Sequence, residues 1–139
     1  DDYDFKTWQP DAVIINLGTN DVTAIRSAAE LGKEWAGIRD IKEVEGMLTT
    51  AIRDFLKVVR NCNPGAQIIW GYGMLGDGFL STIRDAVENY AKETADARIH
   101  FLQLPDTTSD TVGSRLHPGV KAHRKVAQIL EEFLKKILA

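Results

Sequence analysis

The chain has 139 residues, 44% of them hydrophobic and 27% charged, which is the size and composition of one globular domain with a core of its own. A formal net charge of −3 gives no electrostatic footprint for nucleic acid or an anionic membrane, and no apolar run approaches the roughly 20 residues of a membrane span. The single Cys62 excludes an internal disulfide and a cysteine-based zinc site, and nothing around it suggests a reactive thiol.

Residues 1–9 are polar with Tyr3, Phe5 and Trp8 interleaved, and Pro10 separates them from the first strand. Residues 12–17 form an apolar, β-branched run suited to a strand covered on both faces. It switches abruptly to Gly18-Thr19-Asn20-Asp21, where a strand should end. The next stretch is mixed: residues 24–31 suit a short helix, and Gly32 and Gly37 around Trp35 suit a loop or a broken helix. Ile41, Val44, Leu48, Ile52, Phe55, Leu56 and Val59 then recur at helical spacing, and Pro64-Gly65 stops that helix. A second strand is expected over 66–70, a helix over 79–94 and a third strand over 99–104. A polar loop over 106–115 leads to a last helix from about Gly119 to Leu138, with Lys135 and Lys136 suiting the negative end of its dipole. Strands alternating with helices imply a parallel sheet with right-handed crossovers.

Two clusters carry chemistry. In open α/β sheets ligands bind beyond the carboxyl ends of the strands, which is where Gly18 can turn the backbone and Asn20 can aim an amide donor. The second is Leu116-His117-Pro118-Gly119-Val120, just before the last helix. Parallel topology brings its loop to the same rim, and an imidazole held there is placed as a general base. Taken alone, the first cluster is equally a polar turn, and a helix-capping loop histidine is the competing reading of His117. His100, within a strand, and His123, on the last helix, make no metal-ligand spacing with it.

Together these residues resemble the SGNH (GDSL-type) hydrolases. The stretch from Pro10 to Asp21, ending Gly-Thr-Asn-Asp, looks like their block III, and Leu116-His117-Pro118 followed by Val120, His123 and Ala127 looks like block V. With Asn63-Pro64-Gly65-Ala66-Gln67-Ile68-Ile69 between them, the pattern is similar to the acetyl-xylan esterases of carbohydrate esterase family 2. The resemblance implies a three-layer α/β/α fold and ester hydrolysis through a serine acyl-enzyme, without metal or cofactor. It makes His117 the base and Asn20 the oxyanion donor, with Gly18 and Thr19 shaping the turn and Asp21 bracing it. The substrate it implies is a small ester or acetylated carbohydrate, and a secreted or periplasmic setting accords with it.

Two features depart from the family pattern. Blocks I and II, with the Gly-Asp-Ser nucleophile, are absent, and Ser27, Ser81, Ser109 and Ser114 do not fit that role. The positions two and three before His117 hold Arg115 and Ser114 where the family often has an Asp, so the triad acid is unassigned; Asp106, Asp110 or a backbone carbonyl remain open. The expectation is that residues 1–139 are the C-terminal part of one hydrolase domain, about three strands of a larger sheet. A missing upstream segment or a second chain would then pair the exposed sheet edge. The competing expectation is a non-catalytic SGNH-like glycan-binding module. A flavodoxin-like phosphate binder is disfavoured, because no Gly-rich anion loop or basic residue accompanies Gly18.

Overall fold

A computed structural model of the chain describes residues 3–30 and 41–139. The loop or break expected around Gly32, Trp35 and Gly37 lies outside them. The described elements run β1 (Ala12–Ile15), α1 (Thr19–Glu30), α2 (Ile41–Cys62), β2 (Gln67–Tyr72), α3 (Leu80–Glu93), β3 (Ile99–Gln103) and α4 (Val120–Ile137), with a 3₁₀ turn at Ser114–Leu116. The three strands form a parallel sheet in the order β1-β2-β3. Its register sets Ala12 opposite Gln67 and Ile68 opposite Ile99.

Alternation along the strands divides their side chains between two helical layers. Ile15, Ile68, Trp70, Tyr72 and Ile99 pack with Val44, Ile52, Leu56 and Val59 of α2 and with Ile83, Ala86 and Val87 of α3. Val22 and Ile25 of α1 join the margin of the same cluster. On the opposite face Leu102, Leu104 and Met74 pack against Ala122, Val126 and Leu130 of α4. Helices on both faces of a parallel sheet make a three-layer α/β/α arrangement.

On the α4 face of the sheet, His100 of β3 meets Phe133 edge-on, with ring centroids 5.5 Å apart, and shares a 2.8 Å hydrogen bond with Gln67. Gln67 in turn donates to the Ile137 carbonyl at 3.1 Å. Burial holds the His100 pKa below the usual imidazole range, outweighing the attraction of Asp96. The unfolded chain therefore binds the proton more readily, so His100 contributes stability above the ordinary histidine pKa that is lost as pH falls through the folded value. Urea midpoints should accordingly fall less between pH 7 and pH 5 in His100→Asn than in the parent chain.

Arg60 ties the other end of the sheet together. Its Nε donates to Asp96 at 2.7 Å, and its Nη1 donates to the carbonyls of Asn63 at 2.9 Å and Ala66 at 2.7 Å. One guanidinium thus joins the end of α2 to the turn before β3, and both side chains of the pair are mostly shielded from solvent. Truncation would leave the Asn63 and Ala66 carbonyls without their guanidinium donor and Asp96 with Arg98 alone, so Arg60→Leu should lower stability by about 2 kcal/mol in urea unfolding.

At β1 the sheet stops. Among the described residues β1 pairs only with β2, and Ile14, in the middle of an apolar strand, is 46% exposed. On one stripe of α2, Met47, Phe55 and Val58 are also exposed.

Candidate active site

The three strands run the same way, so the segments that follow them gather at one rim. After β1, Asn16 Nδ2 donates to the Gly71 carbonyl at 2.8 Å, and Trp70 Nε1 donates to the Leu17 carbonyl at 3.3 Å. The chain then reverses at Gly18, whose φ of +115° lies in the left-handed region. A Cβ there would stand 2.7 Å from Ile83 Cδ1 and 3.2 Å from the Tyr72 ring, so both conformation and space require glycine.

Helix α1 begins at Thr19, several residues earlier than its hydrophobic pattern suggested, because Gly18 completes the reversal alone. Asn20 is consequently a first-turn residue of a helix, and its side chain is exposed. Among the described residues its amide has no hydrogen-bond partner. The orphan N–H groups of that first turn add positive potential at the same rim. Asp21 sits partly buried beside Ile25, Val44 and Phe79.

After β2 a second glycine shapes the rim. Gly73 has φ +143°, and a Cβ on it would fall 2.2 Å from the Leu104 carbonyl oxygen. The loops after β2 and β3 are tied together by Thr107 N–H to the Met74 carbonyl at 3.2 Å and by Gly76 N–H to Asp106 Oδ1 at 3.0 Å. Between them runs a groove of about 490 Å³, bordered by Met74, Leu75, Thr107, Ser109, Val112 and Leu116.

His117 follows on the same loop, fixed at both of its peptide groups. Its N–H donates to the Ser114 carbonyl at 3.1 Å, and its own carbonyl accepts from Gly113 N–H at 2.7 Å. An isolated bridge between Val112 and Pro118, and Gly119 N–H to the Thr111 carbonyl at 2.8 Å, close the loop around it. The imidazole Nδ1 lies 3.0 Å from the Arg115 carbonyl oxygen. A carbonyl can only accept, so in the neutral ring the proton sits on Nδ1 and the lone pair on Nε2. That is the tautomer a general base needs.

The carbonyl reaches Nδ1 because two successive residues, Arg115 and Leu116, hold left-handed φ values of 54° and 63°. For non-glycine residues this costs about 1 kcal/mol or more each, met here by the loop's hydrogen bonds. Neither candidate carboxylate touches His117. Asp106 Oδ1 accepts from the N–H groups of Gly76 and Thr107, at 3.0 and 2.8 Å. Asp110 accepts from the Thr108 hydroxyl, which is the main reason that its pKa is lowered.

Asn20 and His117 thus stand on the same rim, on segments following the first and third strands, with no hydrogen bond between them among the described residues. His100 belongs to the packing against Phe133, and His123 is exposed on α4. No group of three or more potential metal ligands occurs among the described residues.

A parallel sheet that presents an amide donor after one strand and an imidazole before the last helix was compared with known families and structures. The GDSL-like Lipase/Acylhydrolase family matches residues 2–125. The chain belongs to that family. It is similar to a solved acetyl xylan esterase, Est2A, from the rumen bacterium Butyrivibrio proteoclasticus, with 38% identity and a TM-score of 0.83 over 98% of this chain and 39% of that one. A family two carbohydrate esterase from Clostridium thermocellum, solved with cellohexaose, shows 26% identity and a TM-score of 0.77 over 97% of this chain and 38% of that one. The cellulase/esterase CelE of Acetivibrio thermocellus is 28% identical over 144 residues, covering 98% of this chain and 15% of CelE. The chain therefore spans well under half the length of these relatives. The chain carries the glycine turn, the rim asparagine and the loop histidine, and its four serines stand elsewhere. Ser81 is on α3, Ser27 on α1, Ser109 on the groove and Ser114 in the turn whose carbonyl holds His117.

Proposed function

We propose that this chain supplies the base and oxyanion half of a serine esterase that removes acetyl groups from carbohydrate. The observation that carries the reading is His117, held by a backbone carbonyl in the tautomer that leaves Nε2 free, at the rim where Asn20 offers an amide donor. In the proposed reaction Nε2 accepts the proton of a serine hydroxyl as its oxygen attacks the acetyl carbonyl. The Asn20 amide donates to the oxygen that becomes negative. The imidazolium then returns its proton to the leaving sugar oxygen, and water repeats the sequence on the acyl-enzyme. The Arg115 carbonyl does the orienting that a carboxylate does in a triad. Carbohydrate as the substrate class follows from the named esterase relatives.

The serine in this reading comes from a strand docked parallel to β1, on an upstream segment of the same protein or on another chain. Residues 1–139 would then be the C-terminal part of one domain. The open edge of β1, the exposed Ile14 and the α2 stripe support that docking, since an apolar edge strand with unpaired backbone groups is a template for another strand. The isolated 139 residues should not hydrolyse a small acetyl ester such as 4-nitrophenyl acetate faster than free imidazole does. Joining the upstream segment should restore turnover. A complete protein with serine, Asn20 and His117 in place that remains inert would overturn the assignment.

A non-catalytic, glycan-binding descendant of the same fold is the second reading, favoured by the lack of a carboxylate on His117. It predicts binding of acetylated glycan with no acetate release, in the same assay.

A further inference from the structure

The overall charge of −3 conceals a local reversal of sign beside His117. From Thr111 to Leu130 there is no Asp or Glu, whereas Arg115, Lys121, Arg124 and Lys125 are all present. All four are exposed, and among the described residues none of their side chains has an ion-pair or hydrogen-bond partner. Three of them lie in the first two turns of α4, within an arc of about 100° that leaves Ala122 and Val126 to the core.

Local physics disfavours this placement. The first turn of a helix prefers acidic residues, and α4 has none there, while Lys121 and Lys125 are a like-charge pair one turn apart. Asp110, on the preceding loop, lies within electrostatic reach of Lys121 and Lys125, and its carboxylate is already engaged by Thr108. Asp110 offsets part of the field of the two lysines, and neither Arg115 nor Arg124 has an ion-pair partner among the described residues. An arrangement unfavourable to the helix and unanswered within the described fold is set for an external anion.

The cations are spread along two turns and do not converge on a pocket, which suits an extended polyanion lying across the surface. No Phe, Tyr or Trp occurs between Thr111 and Leu130, so the strip lacks the stacking platforms that single-stranded nucleic acid requires. We propose that Arg115, Lys121, Arg124 and Lys125 bind the carboxylates of an acidic, uronate-bearing polysaccharide and so bring its acetylated units to His117. The assignment of a glycan rests on the carbohydrate reading above; the anion preference rests on the strip itself.

Calorimetric titration of the full-length protein with glucuronoxylan, and with the same polymer after chemical reduction of its carboxyl groups, tests this without turnover. The carboxylated polymer should bind about tenfold more tightly at low ionic strength, and about 0.5 M NaCl should erase the difference. The triple variant K121Q/R124Q/K125Q should lose the preference, and the single reversal Lys125→Glu should weaken it, each with an unchanged far-UV spectrum. Equal affinity for the two polymers, no binding of either, or a preference that survives the triple variant would overturn the proposal. Polyglutamate or DNA binding as tightly as glucuronoxylan would overturn the assignment to a glycan. A protein that prefers the carboxylated polymer but hydrolyses no ester refutes the esterase reading and leaves this surface standing; one that deacetylates without preference does the reverse.

Discussion

Replacing His117 by alanine in the catalytically complete protein should lower turnover of a small acetyl ester by about 10²–10⁴-fold, the range expected for loss of a positioned general base. The variant keeps the fold, since the imidazole is exposed and its loop is held by backbone hydrogen bonds from Gly113, His117 and Gly119. A matching control separates a dyad from a triad. Because the Arg115 carbonyl, and not a carboxylate, meets Nδ1, Asp106→Asn and Asp110→Asn should each cost less than about tenfold, far below the ~10⁴ that follows loss of a triad aspartate. A loss of that larger size in either variant, or activity retained in His117→Ala, would contradict the arrangement.

Asn20→Ala should lower kcat by about 10²–10³-fold with KM little changed, because an oxyanion donor is used most in the transition state. The first turn of α1 survives the substitution, since alanine is a better helix former than asparagine and no hydrogen bond of the Asn20 amide within the described structure is lost. Asn20→Asp puts a negative charge where negative charge develops and should be at least as damaging. Steady-state kinetics on the same acetyl ester checks both; a change confined to KM would mean that Asn20 binds substrate without stabilising the oxyanion.

Much of the fold was legible because its signals are local. The β-branched run over 12–17, the two shorter apolar runs and the 3.6-residue pattern from Ile41 to Val59 each match an observed element. The start of α1 did not show in the pattern. Thr19, Asn20 and Asp21 look like a turn by composition, and the helix begins there because Gly18 alone absorbs the reversal against Ile83 and Tyr72. The first strand is also shorter than its apolar run, ending at Ile15, since Asn16 and the Leu17 carbonyl bond to Gly71 and Trp70 outside the ladder.

The orienting group on His117 stayed open among Asp106, Asp110 and a backbone carbonyl for a different reason. A backbone carbonyl leaves no mark in residue type, and Arg115 and Leu116 are not residues from which a left-handed conformation can be read. The cationic strip had the opposite fate: its residues were plain, but the net charge of −3 averages them away.

The sequence by itself determined the alternation of strands and helices, the family and the two polar clusters at Gly18–Asn20 and His117, because periodicity and short motifs are properties of neighbouring residues. Parallel topology already implied that both clusters share one rim; tertiary structure decided that β1, β2 and β3 pair in that way. It also decided that His117 is served by a carbonyl, which depends on how the closed loop from Thr111 to Gly119 bends the backbone. Among the described residues it left β1 paired on one side alone, which follows from the order of the strands in space.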